Sequence, residues 1–202
     1  MTAQAGVTTS SSEALHKAQL RKTLRKRRAS ISRRDQRRAA QRCADHLMRA
    51  IECSDIRSIA LYLAYGSELS TAPLLLKLRR SRCRVLLPRL RGQRMHFVEW
   101  KVGQALRANR FGIDEPRGRT RVMPARIDAI VMPLTGFDAQ GRRLGTGGGY
   151  YDRTLAALST RRRPWRIGYA YALQECAQIA DDPWDIKLHA VCTERGLRRF
   201  HG

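Results

Sequence analysis

The N-terminal part of the chain carries apolar residues at helical spacing among many basic ones. Leu20 and Leu24 lie one helical turn apart. Basic residues occupy a second stripe of the same segment, at Lys17, Arg21, Arg25 and Arg28. Residues three or four positions apart share one face of a helix, so the pattern predicts a helix with a strongly basic face.

A second helix is predicted after a short break. Ser32 followed by Asp35 fits a capping box, in which the serine side chain accepts the N–H of the residue three positions later. Apolar residues then recur at helical spacing, at Ala39, Ala40, Cys43, Leu47 and Ile51. The first 52 residues are therefore expected to form two helices.

After residue 55 the pattern changes to short aliphatic and β-branched runs separated by helical or turn segments. Strands are predicted over residues 58–64, 83–88, 95–100, 127–133, 165–170 and 189–194, and a helix over 71–80 with Thr71 near its cap. The run IDAIVMP at 127–133 is apolar throughout, which is typical of a strand covered on both faces. Alternating strands and helices predict an α/β layered fold, in which ligands bind at the carboxyl ends of the strands.

The composition fits one soluble domain. The 202 residues are 43% hydrophobic and 28% charged, as in ordinary globular proteins. We expect residues 1–14, which are small and polar, to form a disordered tail before a single domain at 15–202. No apolar run is long enough to span a membrane and no signal-peptide pattern is seen, so the expected location is the cytoplasm. The five cysteines include no CxxC pair and are predicted to be buried thiols, and no zinc-ligand spacing is present.

The formal charge of +23 is extreme for this length. It suits a polyanionic partner such as nucleic acid, an anionic membrane or a multiply charged small molecule. Of the 40 basic residues 34 are arginines, and they are scattered along the chain. A solvated arginine-rich surface therefore remains the alternative.

The segment LTGFDAQGRRLGTGGGYYDR, residues 134–153, carries the strongest chemical signal. Four glycines (Gly145, Gly147, Gly148 and Gly149) stand between a predicted buried strand and a helix-like YYDRTLAAL. Consecutive backbone N–H groups and a helix N-terminus can cradle phosphate oxygens there, and the spacing matches neither the Walker A loop nor the dinucleotide fingerprint. Arg142 and Arg143 could add guanidinium groups, and Asp152 an oxygen suited to Mg²⁺. A flexible surface loop, with Asp152 as a helix N-terminal acid, is the alternative reading.

Four segments resemble the 5-formyltetrahydrofolate cyclo-ligase family, also called 5,10-methenyltetrahydrofolate synthetases. They are RLGTGGGYYD at 143–152, KAQLR at 17–21, FGIDEP at 111–116 and WDIKLH at 184–189, and they occur in the family's order. The resemblance implies a three-layer α/β/α Rossmann-like fold with a mostly parallel central sheet behind the N-terminal helical pair. It also implies ATP- and Mg²⁺-dependent closure of 5-formyltetrahydrofolate to 5,10-methenyltetrahydrofolate, with release of ADP and phosphate. A cytoplasmic monomer that binds neither nucleic acid nor membrane is expected.

The resemblance assigns roles to individual residues. Its ATP contacts are Lys17, Arg21, Arg143, Leu144, Gly145, Thr146, Gly147, Gly148, Gly149, Tyr150 and Tyr151. Its folate contacts are Glu68 on the pterin side, Phe111 as an aromatic wall, and Thr146, Gly147, Gly148, Gly149 and Tyr150 in the loop. Asp152 and Asp185 would bind Mg²⁺, and Arg143, Tyr150 and Asp152 would act in catalysis. Some family members carry a lysine where this chain has Gly148, so here the positive charge must come from Arg142, Arg143, Lys17 or Arg21.

Taken without the family, each of these residues also has a structural reading. Glu68 suits a turn acid or a helix cap, Asp185 is one of several surface acids, and Phe111 and the two tyrosines suit packing. Lys17 and Arg21 suit plain surface charges. The rival functions are a basic RNA-binding protein and a phosphosugar- or CoA-transferring enzyme on a related scaffold. The excess charge is also compatible with binding the polyglutamate tail of a folate.

Overall fold

The structure is a computed structural model that describes residues 5–101, 103–109, 112–118, 120–160 and 163–200, with side chains from residue 13 onwards. Phe111 lies outside these residues. The N-terminal part forms two helices as predicted, α1 (Ala5–Ala29) and α2 (Arg33–Glu52). Ser32 caps α2 by accepting the N–H of Asp35 at 3.1 Å.

Helix α1 starts earlier than expected. Its backbone is helical from Ala5, so it runs through most of the segment expected to be a disordered tail. That segment contains no proline, and a helix nucleated further along the chain can propagate back through it at little cost per residue. The division into a tail and one domain otherwise stays a prediction.

The rest of the chain alternates strands and short helices. The elements in order are β1 (Ser58–Ala60), α3 (Ala72–Leu78), β2 (Arg84–Arg91), β3 (Arg94–Glu99), β4 (Leu106–Ala108), β5 (Asp114–Pro116), β6 (Arg121–Val122), β7 (Ala129–Pro133), β8 (Gly136–Phe137), β9 (Arg143–Leu144), α4 (Tyr150–Leu155), β10 (Trp165–Tyr169), β11 (Ala190–Thr193) and β12 (Gly196–Arg199). Single 3₁₀ turns cover Pro124–Arg126, Ala156–Leu158 and Ala172–Gln174.

Eight strands form the central sheet in the order β12-β11-β10-β7-β1-β2-β3-β6. The five strands from β11 to β2 are parallel, and the outer strands β12, β3 and β6 add antiparallel edges. Two short hairpins, β4-β5 and β8-β9, lie outside this sheet. The predicted α/β fold with a mostly parallel central sheet is confirmed.

Neighbouring residues of the central strands point to opposite faces of the sheet. Ile59 and Val131 pack with α2 and α3 on one face, whereas Ala60 and Ile130 pack on the other face with Leu155 of α4. Alternation of this kind, with both faces covered, is what makes the central strands read as continuous apolar runs. The molecule therefore has the three predicted layers.

The predicted strand over 58–64 is shorter than its apolar run. The N–H of Leu61 still donates to the carbonyl of Leu86 at 2.9 Å. Beyond Leu61 the chain leaves the sheet, and Tyr62 takes part in side-chain hydrogen bonds instead. Its carbonyl accepts the Thr71 hydroxyl at 2.7 Å, and its own hydroxyl donates to the carbonyl of Leu69 at 2.6 Å. These bonds satisfy buried polar groups without a neighbouring strand.

The cysteines differ in burial. Cys43 and Cys192 are buried thiols as predicted, but Cys53 is exposed because it lies at the C-terminal cap of α2 rather than on its apolar stripe. Within the described part of the chain, no helix combines the length and apolar character needed to cross a membrane.

Candidate active site

The predicted site residues gather at the carboxyl edge of the parallel strands. The segments that follow β1, β7 and β10 carry Glu68, the glycine loop and Asp185, respectively. Helix α1 lies against this edge, where Leu24 is buried against Leu144 and Ile179. A basic helix is thereby held beside a glycine-rich loop.

The glycine loop connects β9 to α4 through residues 145–149. Gly147 has φ of 106° and Gly149, at the cap of α4, has φ of 62°. Residues with a side chain rarely adopt such φ values, so glycine at these two positions permits the tight turn into the helix. Gly148 has an ordinary φ, and a Cβ there would lie only 3.0 Å from the ring of Tyr150. A lysine at that position would require this ring to shift by a few tenths of an ångström.

Two arginines of α1 bind the backbone of the loop. Arg21 Nε donates to the carbonyl of Gly145 at 3.0 Å, and Arg25 Nη2 donates to the carbonyl of Thr146 at 3.0 Å. Both acceptors are neutral, so these guanidinium groups keep their positive charge next to the loop. Arg21 thus lies beside the loop, and its contact with ATP stays a prediction. Arg25 was not assigned a role, although it belongs to the same basic stripe of α1.

Arg143 and Asp152 pair at the base of the loop. Arg143 Nη2 lies 2.5 Å from Asp152 Oδ1, and only 5% of the Arg143 side chain is exposed. Asp152 Oδ1 also accepts the backbone N–H of Ile186 at 3.1 Å, which fixes the segment that carries Asp185. The buried Nε of Arg143 has no hydrogen-bond partner among the described residues. A buried donor without a partner favours a ligand or a solvent molecule at this point.

Tyr150 and Tyr151 start helix α4 and are half-buried. The guanidinium of Arg153 lies over the Tyr150 ring, 5.2 Å from its centre, and Arg153 Nη2 donates to the carbonyl of Gly148 at 2.7 Å. Arg153 was missed in the sequence because it lies beyond the glycine motif. It brings a further exposed cation to the loop.

Lys17 reaches the acidic segment after β10. Its ammonium lies 2.5 Å from Asp182 Oδ2 and 3.1 Å from Asp185 Oδ2, and its side chain is 11% exposed. Burial lowers the pKa of Lys17, but the hydrogen bonds and charges of the two carboxylates outweigh it and leave the pKa raised. Asp182 was not predicted as a site residue, since it reads as one acid among several.

Arg142 pairs with a buried carboxylate in the turn before the loop. Its Nε lies 2.6 Å from Oδ2 of the fully buried Asp138, whose other oxygen accepts the N–H groups of Gln140 and Arg142. Asp138 Oδ2 also accepts the N–H of Ile179 at 3.0 Å. Arg142 therefore neutralises a buried carboxylate that shapes the turn before the loop, and a contact between Arg142 and phosphate stays a prediction.

Glu68 closes a turn after β1, where its Oε2 accepts the N–H of Tyr65 at 3.0 Å. Burial raises its pKa, while the hydrogen bond from Tyr65 and the charges of Arg28 and Arg25 oppose the rise. Arg28 is 7% exposed and donates to the Ser67 hydroxyl at 3.1 Å. This arginine was not assigned a role from the sequence, yet it lies on the predicted basic stripe and faces the turn that holds Glu68.

The predicted metal carboxylates lie on adjacent segments. Asp152 accepts the N–H of Ile186, the neighbour of Asp185, and Asp185 contacts Lys17 and the N–H of Asp182. In both carboxylates, the hydrogen bonds from described residues fall on a single oxygen, which leaves the second oxygen for another ligand. No cluster of three or more histidine, cysteine, aspartate or glutamate side chains suited to a metal occurs among the described residues. The donor set fits Mg²⁺, which is commonly held by one or two carboxylates together with phosphate oxygens and water.

Comparison with known proteins decides the family. The family profile described as the 5-formyltetrahydrofolate cyclo-ligase family matches residues 13–194. The chain belongs to this family. The resemblance carried by the glycine loop and the three shorter segments is thereby confirmed.

Relatives of the cyclo-ligase family match over nearly their full length. A 5-formyltetrahydrofolate cyclo-ligase from Haemophilus influenzae is 33% identical over 178 residues, covering 86% of this chain and 95% of the relative. The one from Escherichia coli K12 is 34% identical over 175 residues, covering 84% and 96%. Among solved structures, the 5,10-methenyltetrahydrofolate synthetase of Aquifex aeolicus aligns with a TM-score of 0.81 at 31% identity, over 92% of this chain and 93% of that one.

Proposed function

We propose that this chain closes the ring of 5-formyltetrahydrofolate to give 5,10-methenyltetrahydrofolate, with ATP as co-substrate and ADP and phosphate as the other products. Family membership supports the reaction. The observation that carries the assignment to this site is the glycine loop with charged side chains on either side of it: Lys17, Arg21, Arg25, Arg143, Asp152 and Asp185.

The chemistry of the substrate explains why a nucleotide is needed. The carbon of an N-formyl group is amide-like and a poor electrophile, so a nearby amine does not displace its oxygen unaided. Transfer of the terminal phosphoryl group of ATP to the formyl oxygen breaks the P–O bond to ADP and turns that oxygen into a leaving group. The folate nitrogen N10 then attacks the formyl carbon, the C–O bond breaks, and phosphate departs with the formyl oxygen and the N10 proton.

The protein's part in such a transfer is to position the reactants and neutralise charge. Arg21 and Arg25 anchor the loop and keep their charges beside it. Arg143, with its unpartnered Nε, can donate to a phosphate oxygen at the base of the loop. Lys17 supplies an ammonium from the other side. No nucleophilic serine or cysteine is required.

Asp152 and Asp185 are the residues that would bind Mg²⁺. A bound Mg²⁺ would neutralise phosphate charge in the nucleotide. Each carboxylate has an oxygen that the hydrogen bonds of the described residues leave open. Their present partners, Arg143 and Lys17, are themselves phosphate-binding candidates, so all four side chains serve one site.

On the folate side we assign Glu68, Phe111 and the loop residues 146–150. Glu68 would accept N–H groups at the edge of the pterin, since its carboxylate lies at the same edge of the sheet as the loop. Tyr150 would pack between nucleotide and folate, with Arg153 holding its ring. The assignment of Phe111 rests on the family motif alone.

A labelling experiment tests this mechanism. Substrate carrying a heavy isotope of oxygen in the formyl group is converted with ATP, and the released phosphate is analysed by mass spectrometry. The mechanism requires one heavy oxygen in each phosphate and equal amounts of ADP and methenyl product. Label found in water instead of phosphate would contradict phosphorylation of the formyl oxygen.

We also infer that the protein acts as a cytoplasmic monomer and binds no nucleic acid. The small-molecule chemistry of the family supports this view. Light scattering after size-exclusion chromatography measures the molar mass of the protein. Titration with labelled RNA at physiological salt measures whether the positive charge binds nucleic acid. A dimer mass, or RNA binding that survives physiological salt, would contradict it.

A further inference from the structure

One side of the candidate site, here called the acidic side, consists of Lys17, Arg143, Asp152, Asp182 and Asp185. Both of its cations are paired with carboxylates. Lys17 is held between Asp182 and Asp185, so this group of three carries a net negative charge. Arg143 is neutralised by Asp152. A nucleotide approaching this side meets three carboxylates and two cations, both of which are already paired.

The loop side differs in charge. Arg21 and Arg25 are bound to backbone carbonyl oxygens, which leave their charges available. A polyphosphate is therefore attracted at the loop and opposed beside Lys17. A divalent cation bound to the nucleotide would balance the negative charge of the carboxylates around Lys17.

We propose that Asp182 is a specificity-determining residue that makes the site accept nucleotide together with a divalent cation and reject metal-free nucleotide. The inference rests on the proposed function, because it assumes that ATP binds at this loop. It assigns a role to a residue outside the predicted set.

The physical reason is competition for Lys17. Phosphate oxygens of a metal-free nucleotide must displace Asp182 from the ammonium, which leaves that carboxylate facing the phosphates without a cation. Like charges at short range in a partly buried place repel more strongly than in water. When the nucleotide carries a divalent cation, the displaced carboxylates have a positive charge to face, and the repulsion disappears.

Asp182 is better suited to this role than Asp185. Its carboxylate is the closer partner of Lys17, at 2.5 Å against 3.1 Å. Asp185 Oδ2 also accepts the N–H of Asp182 and so helps to shape the segment, whereas the described residues give the Asp182 carboxylate no partner besides Lys17. Asp182→Asn therefore removes the charge while keeping the shape and the loop.

The neighbouring acid provides a matched control. Asp181 pairs with Lys187 at 2.9 Å, and Lys187 is 58% exposed. Asp181→Asn makes the same change in net charge one residue away but leaves Lys17 untouched. A general effect of added positive charge would appear equally in both variants.

The test is calorimetric titration of ATP into the purified protein without folate, once with a chelator and once with excess Mg²⁺. Wild type should bind ATP much more tightly with Mg²⁺. Asp182→Asn should bind metal-free ATP more tightly than wild type by about fivefold, as loss of a competing ion pair worth about 1 kcal/mol implies. Its affinity for ATP with Mg²⁺ should change less, and Asp181→Asn should behave as wild type.

An unchanged ratio of the two affinities in Asp182→Asn would overturn the inference, as would an equal change in Asp181→Asn. If wild type binds ATP with Mg²⁺ while the variants give either of these results, only the inference fails and the proposed function stands. Wild type that binds ATP under neither condition would overturn the proposed function itself, and the inference with it. Thermal unfolding of each variant checks that the protein is folded.

Discussion

Arg143 and Asp152 form an ion pair that closes the glycine loop at its base, with 2.5 Å between Nη2 and Oδ1. The pair links β9 before the loop to the first turn of α4 after it. Through the N–H of Ile186, Asp152 also ties in the segment after β10. One pair of side chains thus positions three parts of the candidate site.

Arg143→Ala should lower both activity and stability. The variant loses a charge beside the phosphates, for which we expect kcat/KM to fall by about two to three orders of magnitude. It also leaves the half-buried Asp152 without its ion partner, which should cost about 1–3 kcal/mol in the free energy of unfolding. Steady-state kinetics and urea unfolding measure the two effects.

Arg143→Lys separates these two effects. Lysine keeps the positive charge beside Asp152 and should restore part of the stability, but it lacks the planar guanidinium that bridges carboxylate and phosphate. Activity should therefore stay well below that of wild type. Wild-type kcat/KM in either folded variant would contradict the assignment of Arg143.

The pH dependence of kcat/KM should report Glu68. In the proposed site the ionised carboxylate is the form that accepts N–H groups from the pterin on both oxygens, and burial raises its pKa above the ordinary value. Activity should thus fall as the pH drops through a value higher than that of an exposed glutamate. Arg28 opposes the rise, so Arg28→Met should move this acid limb to still higher pH.

Two variants complete this experiment. Arg28→Lys keeps a positive charge near the turn and should leave the acid limb close to its wild-type position. Glu68→Gln should lose activity together with the limb. An acid limb that stays in place in folded Arg28→Met would show that Arg28 does not act on Glu68.

Protein stability should decrease in mild acid because of His189. Burial, together with the charge of Arg166, lowers the pKa of His189 to about 4. The unfolded chain binds this proton near pH 6.5, so stability is complete above that value and is lost as the pH falls towards 4. The loss should be on the order of 1–3 kcal/mol.

Urea unfolding at a series of pH values measures this effect. His189→Gln should flatten the dependence between pH 6.5 and 4, whereas His16→Gln, at an exposed position of α1, should leave it unchanged. Equal slopes in wild type and His189→Gln would contradict the assignment.

Much of the N-terminal helical pair and the parallel sheet could be predicted, because their apolar residues repeat with clear periods. Strands β1, β2, β7, β10 and β11 lie within the predicted runs or overlap them closely. The two-residue and three-residue strands β4, β5, β6, β8 and β9 were missed because such short pieces show no period of their own. Strand β12, GLRR, was missed for the same reason.

Residues of the candidate site could be recognised in the sequence where they belong to a motif, and less easily where they only meet in space. Lys17, Arg21, Arg143 and Asp152 stand in recognisable segments and gather at the predicted edge. Asp182 and Arg28 became visible only through their partners, which lie 165 and 39 residues away. The pair of Arg142 with the buried Asp138 was not foreseen, although the two residues lie only four positions apart, because the turn that brings them together has no helical or strand period.

The formal charge of +23 leads to a separate prediction about the folate substrate. A basic groove lies along β2, β3 and the β4–β5 hairpin, with two adjoining cavities of about 430 and 660 Å³ that share Arg89 and Leu90. Its arginines are Arg89, Arg91, Arg107, Arg117 and Arg121. If the charge binds the polyglutamate tail of the substrate, KM should be lower for polyglutamylated than for monoglutamylated folate.

Paired variants of this basic groove sharpen that prediction. Exchange of both Arg89 and Arg107 for glutamine should raise KM several-fold for the polyglutamylated substrate and leave the monoglutamate value near wild type. Arg79→Gln, at an exposed position after α3, serves as the charge control. Equal KM values for the two substrates in wild type would exclude a role of the arginine excess in tail binding.

The most direct test of the central claim is the near-ultraviolet absorbance of methenyltetrahydrofolate after the purified protein is mixed with 5-formyltetrahydrofolate. We expect absorbance to rise only when ATP and Mg²⁺ are both present, and to rise far more slowly with Arg143→Lys. No rise with folded wild-type protein, or an equal rise without ATP, would contradict the assignment of this chain as an ATP-dependent cyclo-ligase.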